Sequence, residues 1–242
     1  MDSQSYVVNE GKQFIVGNLD KQYYCYAIKT KTVTSEDKMQ DIIETYVKPF
    51  VNVGDIVFVS EKMVACLQGR AILMNSIKPG SLAKTLSKFV TKSPHGIGLS
   101  IPQTMQCAIE ECGIIRILFA AFISMIGKIF GVKGWFYKIA GKKAASIDGP
   151  CEWTLPPYNH YVVLGPKYPD KVALEISDTL NKQTVLIVDL NDLGGEILGS
   201  STKDIDKKYI LSMLKQNPLG QSNESTPIGI LRPVTKDEVP EA

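Results

Sequence analysis

The sequence predicts an α+β or mixed α/β protein in which strands and helices alternate along the chain. Three stretches carry this prediction. The run 184–189 is continuously apolar until it ends at Asp189, a pattern typical of a strand buried on both faces. Residues 23–34 alternate enough to predict another strand. Residues 36–47 place apolar side chains at helical spacing, which predicts an amphipathic helix packed on a sheet.

The remaining elements follow from similar local signals. Thr34 is expected to cap the first helix, and Ser100 to open another through a capping box, with Pro102 at an early helical position. Pro169 is expected to start a further helix. Short strands are predicted at 56–59, 161–164 and 228–231, and a last helix at 204–216.

Composition limits the classes of function. The 242 residues, 44% hydrophobic, are enough for one large domain or two packed lobes. The net charge of +2 comes from 27 basic and 25 acidic residues in no long run, which argues against nucleic acid as a partner. Five cysteines without CxxC spacing and two histidines argue against zinc and favour free thiols in a reducing cytoplasm. No signal peptide is evident at the N-terminus, so we expect a cytoplasmic protein.

Residues 114–130 form the most apolar stretch of the chain. Only 11 residues separate Arg116 from Lys128, about 16 Å of helix, whereas a bilayer core requires about 20 residues. We therefore expect a buried helix and no membrane span. A dimer interface and a membrane-surface helix are the alternatives. The basic, aromatic stretch 131–143 that follows is either a solvated connection anchored by its aromatic rings or a cradle for an anion.

Three polar turns adjoin the predicted core elements: Asp148 in IDGP, residues 189–192 with Gly194-Gly195 as a turn, and residues 221–226. Two aspartates with an amide oxygen form a hard-oxygen set that suits Mg²⁺ or Mn²⁺. Ordinary turn chemistry is the alternative explanation for such residues. The chain has no P-loop, no Rossmann fingerprint and no GxSxG motif. These residues alone predict a metal-dependent enzyme that acts on a phosphorylated ligand.

Three blocks of the chain, in the same order, are similar to a known family. They are GDIVFVSEKMVACLQGR at 54–70, the pair Asp148 and Asp189, and LGQSNESTPIGILR at 219–232. In these blocks the sequence resembles the coenzyme F(420)-0:L-glutamate ligase family, and most closely a shorter branch of it. The resemblance spans about residues 24–232.

The resemblance implies a two-lobed α+β fold with a mixed sheet. It also implies that the protein forms a homodimer. It implies a single ligase-like domain over residues 1–242, with 1–20 and 235–242 as peripheral tails. The implied activity is GTP-dependent amide formation between L-glutamate, or another amino acid, and an acidic acceptor such as the deazaflavin coenzyme F(420)-0, through an acyl phosphate.

The resemblance also assigns roles to individual residues. Asp148 and Asp189 are the implied catalytic and metal-binding aspartates for Mg²⁺ or Mn²⁺, and Asp192 and Gln221 complete the metal set. The implied nucleotide-binding residues for GTP are Lys31, Thr32, Glu61, Lys62, Gly220, Gln221, Glu224 and Thr226.

The chain departs from the family pattern at three positions. Cys66 replaces a lysine, Cys151 an asparagine, and Leu190 a threonine. Lys62 lies one turn before Cys66 if that segment is helical, and so can supply the missing charge. An alternative function follows from these changes: a repurposed metal-binding relative that lacks nucleotide-dependent ligase activity.

Overall fold

The computed structural model describes residues 6–18, 21–90, 97–132, 134–152, 154–191, 194–220 and 223–234. The chain divides into two units. The first unit comprises residues 1–69 and 166–242, and the second comprises residues 70–165. Each unit has its own hydrophobic core. The mixture of helices with a mixed sheet confirms the predicted α+β class.

The elements of the described residues are numbered in chain order. The strands are β1 (Tyr6–Val7), β2 (Ile15–Asn18), β3 (Lys21–Ile28), β4 (Ile56–Ser60), β5 (Ala71–Leu73), β6 (Tyr161–Val163), β7 (Thr184–Asn191), β8 (Gly194–Ser200) and β9 (Ile228–Pro233). The helices are α1 (Met39–Tyr46), α2 (Glu61–Leu67), α3 (Ser81–Leu86), α4 (Pro102–Cys112), α5 (Ile114–Ile129), α6 (Trp135–Ala140), α7 (Lys142–Ala145), α8 (Pro169–Thr179) and α9 (Lys207–Met213).

The first unit is built on a sheet with the strand order β1-β3-β9-β4-β7-β8, and β2 also pairs with β3. The β4–β7 pair is parallel, and the other pairs are antiparallel. The continuous apolar run of β7 is fully buried, as predicted, because both faces of the sheet are covered. Leu186 and Val188 share one core with Phe58 and with residues of α9. The helices α2 and α8 pack against β7 as well.

Residues 6–18, within the predicted peripheral tail at 1–20, form two short strands. β1 and β2 both pair with β3. Phe14 stacks on Tyr24 with ring centroids 4.9 Å apart, and Tyr6 meets Tyr26 edge-on at 4.5 Å. These aromatic contacts fasten the segment to the sheet. Residues 235–242, the other predicted tail, lie outside the described residues.

Two predicted helix caps are absent because the side chains bond elsewhere. Asp37 accepts a hydrogen bond from the Thr34 backbone N–H at 2.8 Å, so Thr34 belongs to a turn and α1 begins only at Met39. Ser100 donates its hydroxyl proton to the Ile97 carbonyl at 2.6 Å, and α4 begins after Ile101 without a side-chain cap. The helix that Pro169 was predicted to start is α8.

The second unit is largely helical, with β5 and β6 as a small antiparallel sheet. Its core contains Met105, Ile117, Phe136 and Val162. Phe136 is buried in this core and meets Tyr137 edge-on within α6. The aromatic rings therefore anchor this part of the chain, in line with the predicted alternative of an aromatic anchor.

The prediction of a buried helix at 114–130 is wrong for one side of α5. Ile117, Ala120 and Gly127 are buried, but the opposite side exposes a row of large apolar residues to solvent. Within the described ranges, no single helix is long and apolar enough to cross a bilayer. The helices α4 and α5 reach such a length only together, and they are bent by 118°.

Candidate active site

The ends of four strands bring the predicted site residues of the first unit to one edge of its sheet. β4 and β7 are parallel, with Ser60 in register with Val188, so their carboxyl ends lie side by side. β9 runs antiparallel to β4 and β3, and its first residue, Ile228, pairs with Val59 and with Ile28. We call this edge the polar edge, and it carries residues 29–32, 61–62, 189–191, 217–220 and 223–226.

The loop before β9 is fastened to the polar edge by backbone and side-chain hydrogen bonds. The Ser60 N–H donates to the Pro227 carbonyl at 2.8 Å, and the Thr30 N–H donates to the Ser225 carbonyl at 2.9 Å. Within the loop, the buried Thr226 hydroxyl donates to the Leu219 carbonyl at 2.8 Å. These bonds connect the loop to the segments that follow β3 and β4.

Gly220 and Glu224 approach each other closely inside this loop. Gly220 has a φ of +76°, and a Cβ at this position would lie 2.5 Å from Cδ of Glu224. The loop conformation therefore requires glycine both for its backbone angle and for the space that the Glu224 carboxyl occupies. Two of the predicted nucleotide-binding residues thus depend on each other. Gln221 lies outside the described residues.

Asn217 and Asn9 also shape this loop, although neither was predicted as a site residue. Asn217 is buried with a φ of +47°, and its Nδ2 donates to the Gly220 carbonyl at 3.1 Å, while its Oδ1 accepts no hydrogen bond. Asn9 donates to the Thr226 hydroxyl at 2.8 Å and to the Pro218 carbonyl at 2.9 Å. An Asn-Pro pair after a predicted helix is typical of a helix stop, and Asn9 lies in the predicted tail at 1–20, so neither residue gives a signal of a site in the sequence.

Lys31 and Thr32 follow β3 at the polar edge. The Lys31 ammonium forms an ion pair with Asp37, although more than half of the lysine side chain is exposed. The hydrogen bond from Lys31, with help from the Thr34 N–H, holds the pKa of Asp37 below its usual value. Thr32 is half-buried. The structure thus assigns Lys31 a partner that the sequence pattern did not suggest.

Glu61 and Lys62 occupy the first turn of α2, immediately after β4. The Ser60 hydroxyl caps this helix by accepting a hydrogen bond from the Met63 N–H at 3.3 Å. The segment is helical, so Lys62 lies one turn before Cys66. This is the condition stated above for Lys62 to take the place of the family lysine. Cys66 itself is buried in the core.

Asp189 is half-buried near the end of β7, two residues before the strand ends at Asn191. It pairs across the ladder with Glu196 of β8, so two carboxylates lie opposite each other. Like charges in such a pair repel unless a cation lies between them. Gly195, predicted as part of a turn, is instead in β8 opposite Leu190. Asp192 lies outside the described residues.

Asp148 belongs to the second unit, where its backbone is well fixed. Its N–H donates to the Val163 carbonyl, and the Val163 N–H donates to the Asp148 carbonyl, both at 2.9 Å. The residue is exposed. Gly149 packs so closely that a Cβ there would lie 3.2 Å from Cβ of Ile97. The turn therefore presents the Asp148 side chain from a rigid backbone.

The donor atoms at the polar edge are of the kind that Mg²⁺ and Mn²⁺ prefer. They are carboxylate oxygens of Asp189 and Glu224 and the buried amide oxygen of Asn217. Among the residues that the structure describes, no group of three or more His, Cys, Asp or Glu side chains could by itself hold a metal ion. The chemistry of the donors fits a hard cation that also takes oxygen ligands from water or substrate.

The sequence model of the F420-0:Gamma-glutamyl ligase family matches residues 27–190. The chain belongs to this gamma-glutamyl ligase family. The matched range includes Lys31, Thr32, Glu61, Lys62, Asp148 and Asp189, whereas the loop at 217–226 follows it. Membership of the gamma-glutamyl ligase family implies a ligase activity in coenzyme F420 biosynthesis. A comparison with curated proteins gives no match.

Proposed function

We propose that this gamma-glutamyl ligase uses GTP and a divalent metal ion to join L-glutamate to an acidic acceptor such as F(420)-0. The observation that carries the proposal is the convergence of Lys31, Glu61, Asp189 and the loop at 217–226 on one edge of the sheet. These segments are far apart in sequence, and the family match covers three of the four.

The proposed reaction has two steps. A carboxylate oxygen of the acceptor attacks the γ-phosphorus of GTP, and the bond to the β-phosphate oxygen breaks, which releases GDP. The amine nitrogen of L-glutamate then attacks the carbon of the acyl phosphate. The C–O bond to phosphate breaks, an amide forms, the nitrogen loses a proton and inorganic phosphate leaves. Both steps concentrate negative charge on phosphoryl oxygens.

Residues of the polar edge carry the groups needed to stabilise the negative charge on the phosphoryl oxygens in these steps. Lys62, in the first turn of α2, is the residue we assign to a phosphate contact, in the role of the lysine that Cys66 replaces. The backbone at Gly220 and at Thr226 would offer hydrogen-bonding groups to the nucleotide. We assign Glu61, Glu224, Gln221 and Thr32 to nucleotide contacts on the family resemblance.

Asp148, Asp189, Asp192 and Gln221 are the proposed metal-binding residues, on the sequence resemblance. A bound Mg²⁺ or Mn²⁺ would neutralise the phosphoryl oxygens. A homodimer and a cytoplasmic location remain part of the proposal, because the family resemblance implies the first and the free cysteines favour the second.

The test measures product and nucleotide together. Purified protein is incubated with F(420)-0, L-glutamate, GTP and Mn²⁺, and mass spectrometry follows the glutamylated product while GDP is quantified. We expect one GDP per amide bond and a loss of at least about 100-fold in rate for Asp189→Asn. Asp178→Asn is the matched control, because this exposed residue of α8 pairs only with Lys182 at the surface. Its rate should equal that of the wild type.

Two outcomes would contradict the proposal. Full activity of the double variant Asp148→Asn/Asp189→Asn would remove the metal assignment. Thermal stabilisation by Mn²⁺ alone, with no added effect of GTP and no product, would favour the alternative of a metal-binding relative without ligase activity.

A further inference from the structure

The helix α5 exposes a continuous apolar stripe on the second unit. Its members recur every three or four residues and therefore share one face of the helix. Ile115 is 81% exposed, Phe122 54% and Ile129 76%. The full stripe comprises Ile115, Leu118, Phe119, Phe122, Met125 and Ile129. Large exposed apolar patches of this kind mark surfaces that bind a partner or a membrane.

The segment that contains the stripe carries charges of one sign, and the acidic residues Glu110 and Glu111 precede it at the end of α4. From Gly113 to Ile147 the sequence has no aspartate or glutamate. The same segment has six basic residues, which are Arg116, Lys128, Lys133, Lys138, Lys142 and Lys143. Lys138 and Lys143 are exposed on α6 and α7. An apolar face with a marked excess of cations beside it is the pattern of helices that lie in the interface of an anionic bilayer.

The fold brings part of this charge to the first turn of α5. The Arg116 Nε donates to the Ile139 carbonyl at 2.9 Å, which holds the guanidinium against the end of α6. Burial raises the pKa of the Cys112 thiol, the charges of Arg116 and Lys143 act against this rise, and that of Glu111 adds to it. An open apolar depression of about 500 Å³ adjoins the stripe here, lined by Cys112, Ile114, Ile115, Arg116 and Phe119.

We propose that this apolar stripe and its flanking cations bind the surface of an anionic lipid bilayer, with α5 lying parallel to the membrane plane. Phe119, Phe122 and Met125 enter the boundary between headgroups and acyl chains, and the flanking lysines contact lipid phosphates. A second copy of the chain is a poorer occupant. A symmetric contact through this face would place the cations of one copy against those of the other.

The test is flotation of the purified protein with vesicles of neutral phosphatidylcholine and with vesicles that contain 30% phosphatidylglycerol. We expect binding to the anionic vesicles and a loss of most of it at high salt, since screening weakens the lysine contacts. Leu118→Gln/Phe122→Gln should reduce the partition coefficient at least about tenfold. Lys138→Gln/Lys143→Gln should reduce it about tenfold or more at low salt, since each lysine contributes roughly fivefold.

Matched controls separate the stripe from general surface changes. Val53→Gln/Leu174→Gln removes two exposed apolar residues of the first unit and should leave flotation unchanged. Because all the substituted side chains are exposed, we expect each variant to retain the circular dichroism spectrum of the wild type.

Two results would overturn the proposal. The first is a flotation result: either the protein does not float with the anionic vesicles, or Leu118→Gln/Phe122→Gln floats as well as the control Val53→Gln/Leu174→Gln. The other comes from light scattering without lipid: a dimer that Leu118→Gln/Phe122→Gln converts to a monomer would make this face an interface between copies of the chain. Glutamylation of F(420)-0 in solution should be unaffected by the stripe variant, so this test is independent of the proposed ligase reaction.

Discussion

Arg232 and Asp55 form a two-pronged ion pair that connects the last strand of the sheet to the turn before β4. Nε of Arg232 lies 3.0 Å from Oδ1 of Asp55, and Nη2 lies 2.8 Å from Oδ2. Nη2 also donates to the Phe50 carbonyl at 2.6 Å, and the Asp55 side chain is fully buried. Both residues belong to the blocks that resemble the family, so their presence in those blocks has a structural explanation.

Asp55→Asn should destabilise the protein by about 3 kcal/mol, because it leaves the Arg232 guanidinium partly buried without its carboxylate partner. Urea denaturation followed by circular dichroism measures the change. Asp178→Asn breaks an exposed pair with Lys182 and should cost less than about 0.5 kcal/mol. Equal free energies of unfolding for the two variants would show that the buried pair contributes no more than a surface pair.

Gly220→Ala should reduce the binding of GTP by the proposed nucleotide loop. The new Cβ would lie 2.5 Å from Cδ of Glu224, so the Glu224 carboxyl must leave its position in the loop. Gly11→Ala is the control, since Gly11 has a similar φ of +72° but nothing within 4 Å of the added Cβ. Both variants should lose about 1–2 kcal/mol of stability from the left-handed backbone. Calorimetry should show weaker binding of GTP only for Gly220→Ala, and unchanged affinity would remove the loop from the nucleotide site.

The Lys31–Asp37 pair should give a measurable pH dependence. The hydrogen bond from Lys31 lowers the pKa of Asp37 in the folded protein. Because the folded pKa lies below the unfolded one, the stabilisation is present above about pH 4 and is lost as the pH falls through the folded pKa. An NMR titration of the Asp37 carboxyl should find its midpoint raised in Lys31→Gln. Lys29→Gln removes the same charge two residues away and should leave the midpoint nearly unchanged.

Cys25 and Cys107 should resist alkylation in the folded protein. Burial raises the pKa of Cys25 to about 12 and that of Cys107 to about 11, so neither forms a thiolate at pH 8. Iodoacetamide at pH 8 should leave both unmodified, and mass spectrometry should find both alkylated after unfolding in urea. Alkylation of either thiol in the native protein at the rate of free glutathione would contradict the burial of Cys25 and Cys107 in the two cores.

Local signals predicted the helices and strands well where the deciding contacts lie close in sequence. Pro169 predicted the start of α8, since proline fits the first turn of a helix. The caps at Thr34 and Ser100 were predicted incorrectly, because Asp37 and the Ile97 carbonyl compete for the groups that capping uses. The turn at Gly195 became part of β8, because pairing with Leu190 extends the strand.

Local sequence patterns predicted the apolar strands β4, β7 and β9, several helices and the turns that carry carboxylates, whereas β1, β2 and β5 were not predicted. Which of these turns lie together depends on long-range strand pairing. Strand order places residues near 31, 61, 189 and 224 at one edge, since parallel and antiparallel pairing aligns strand ends regardless of their distance along the chain. The packing of neighbouring helices also determines that α5 exposes an apolar face. A helix apolar on nearly every side has no preferred inner face until its neighbours cover one.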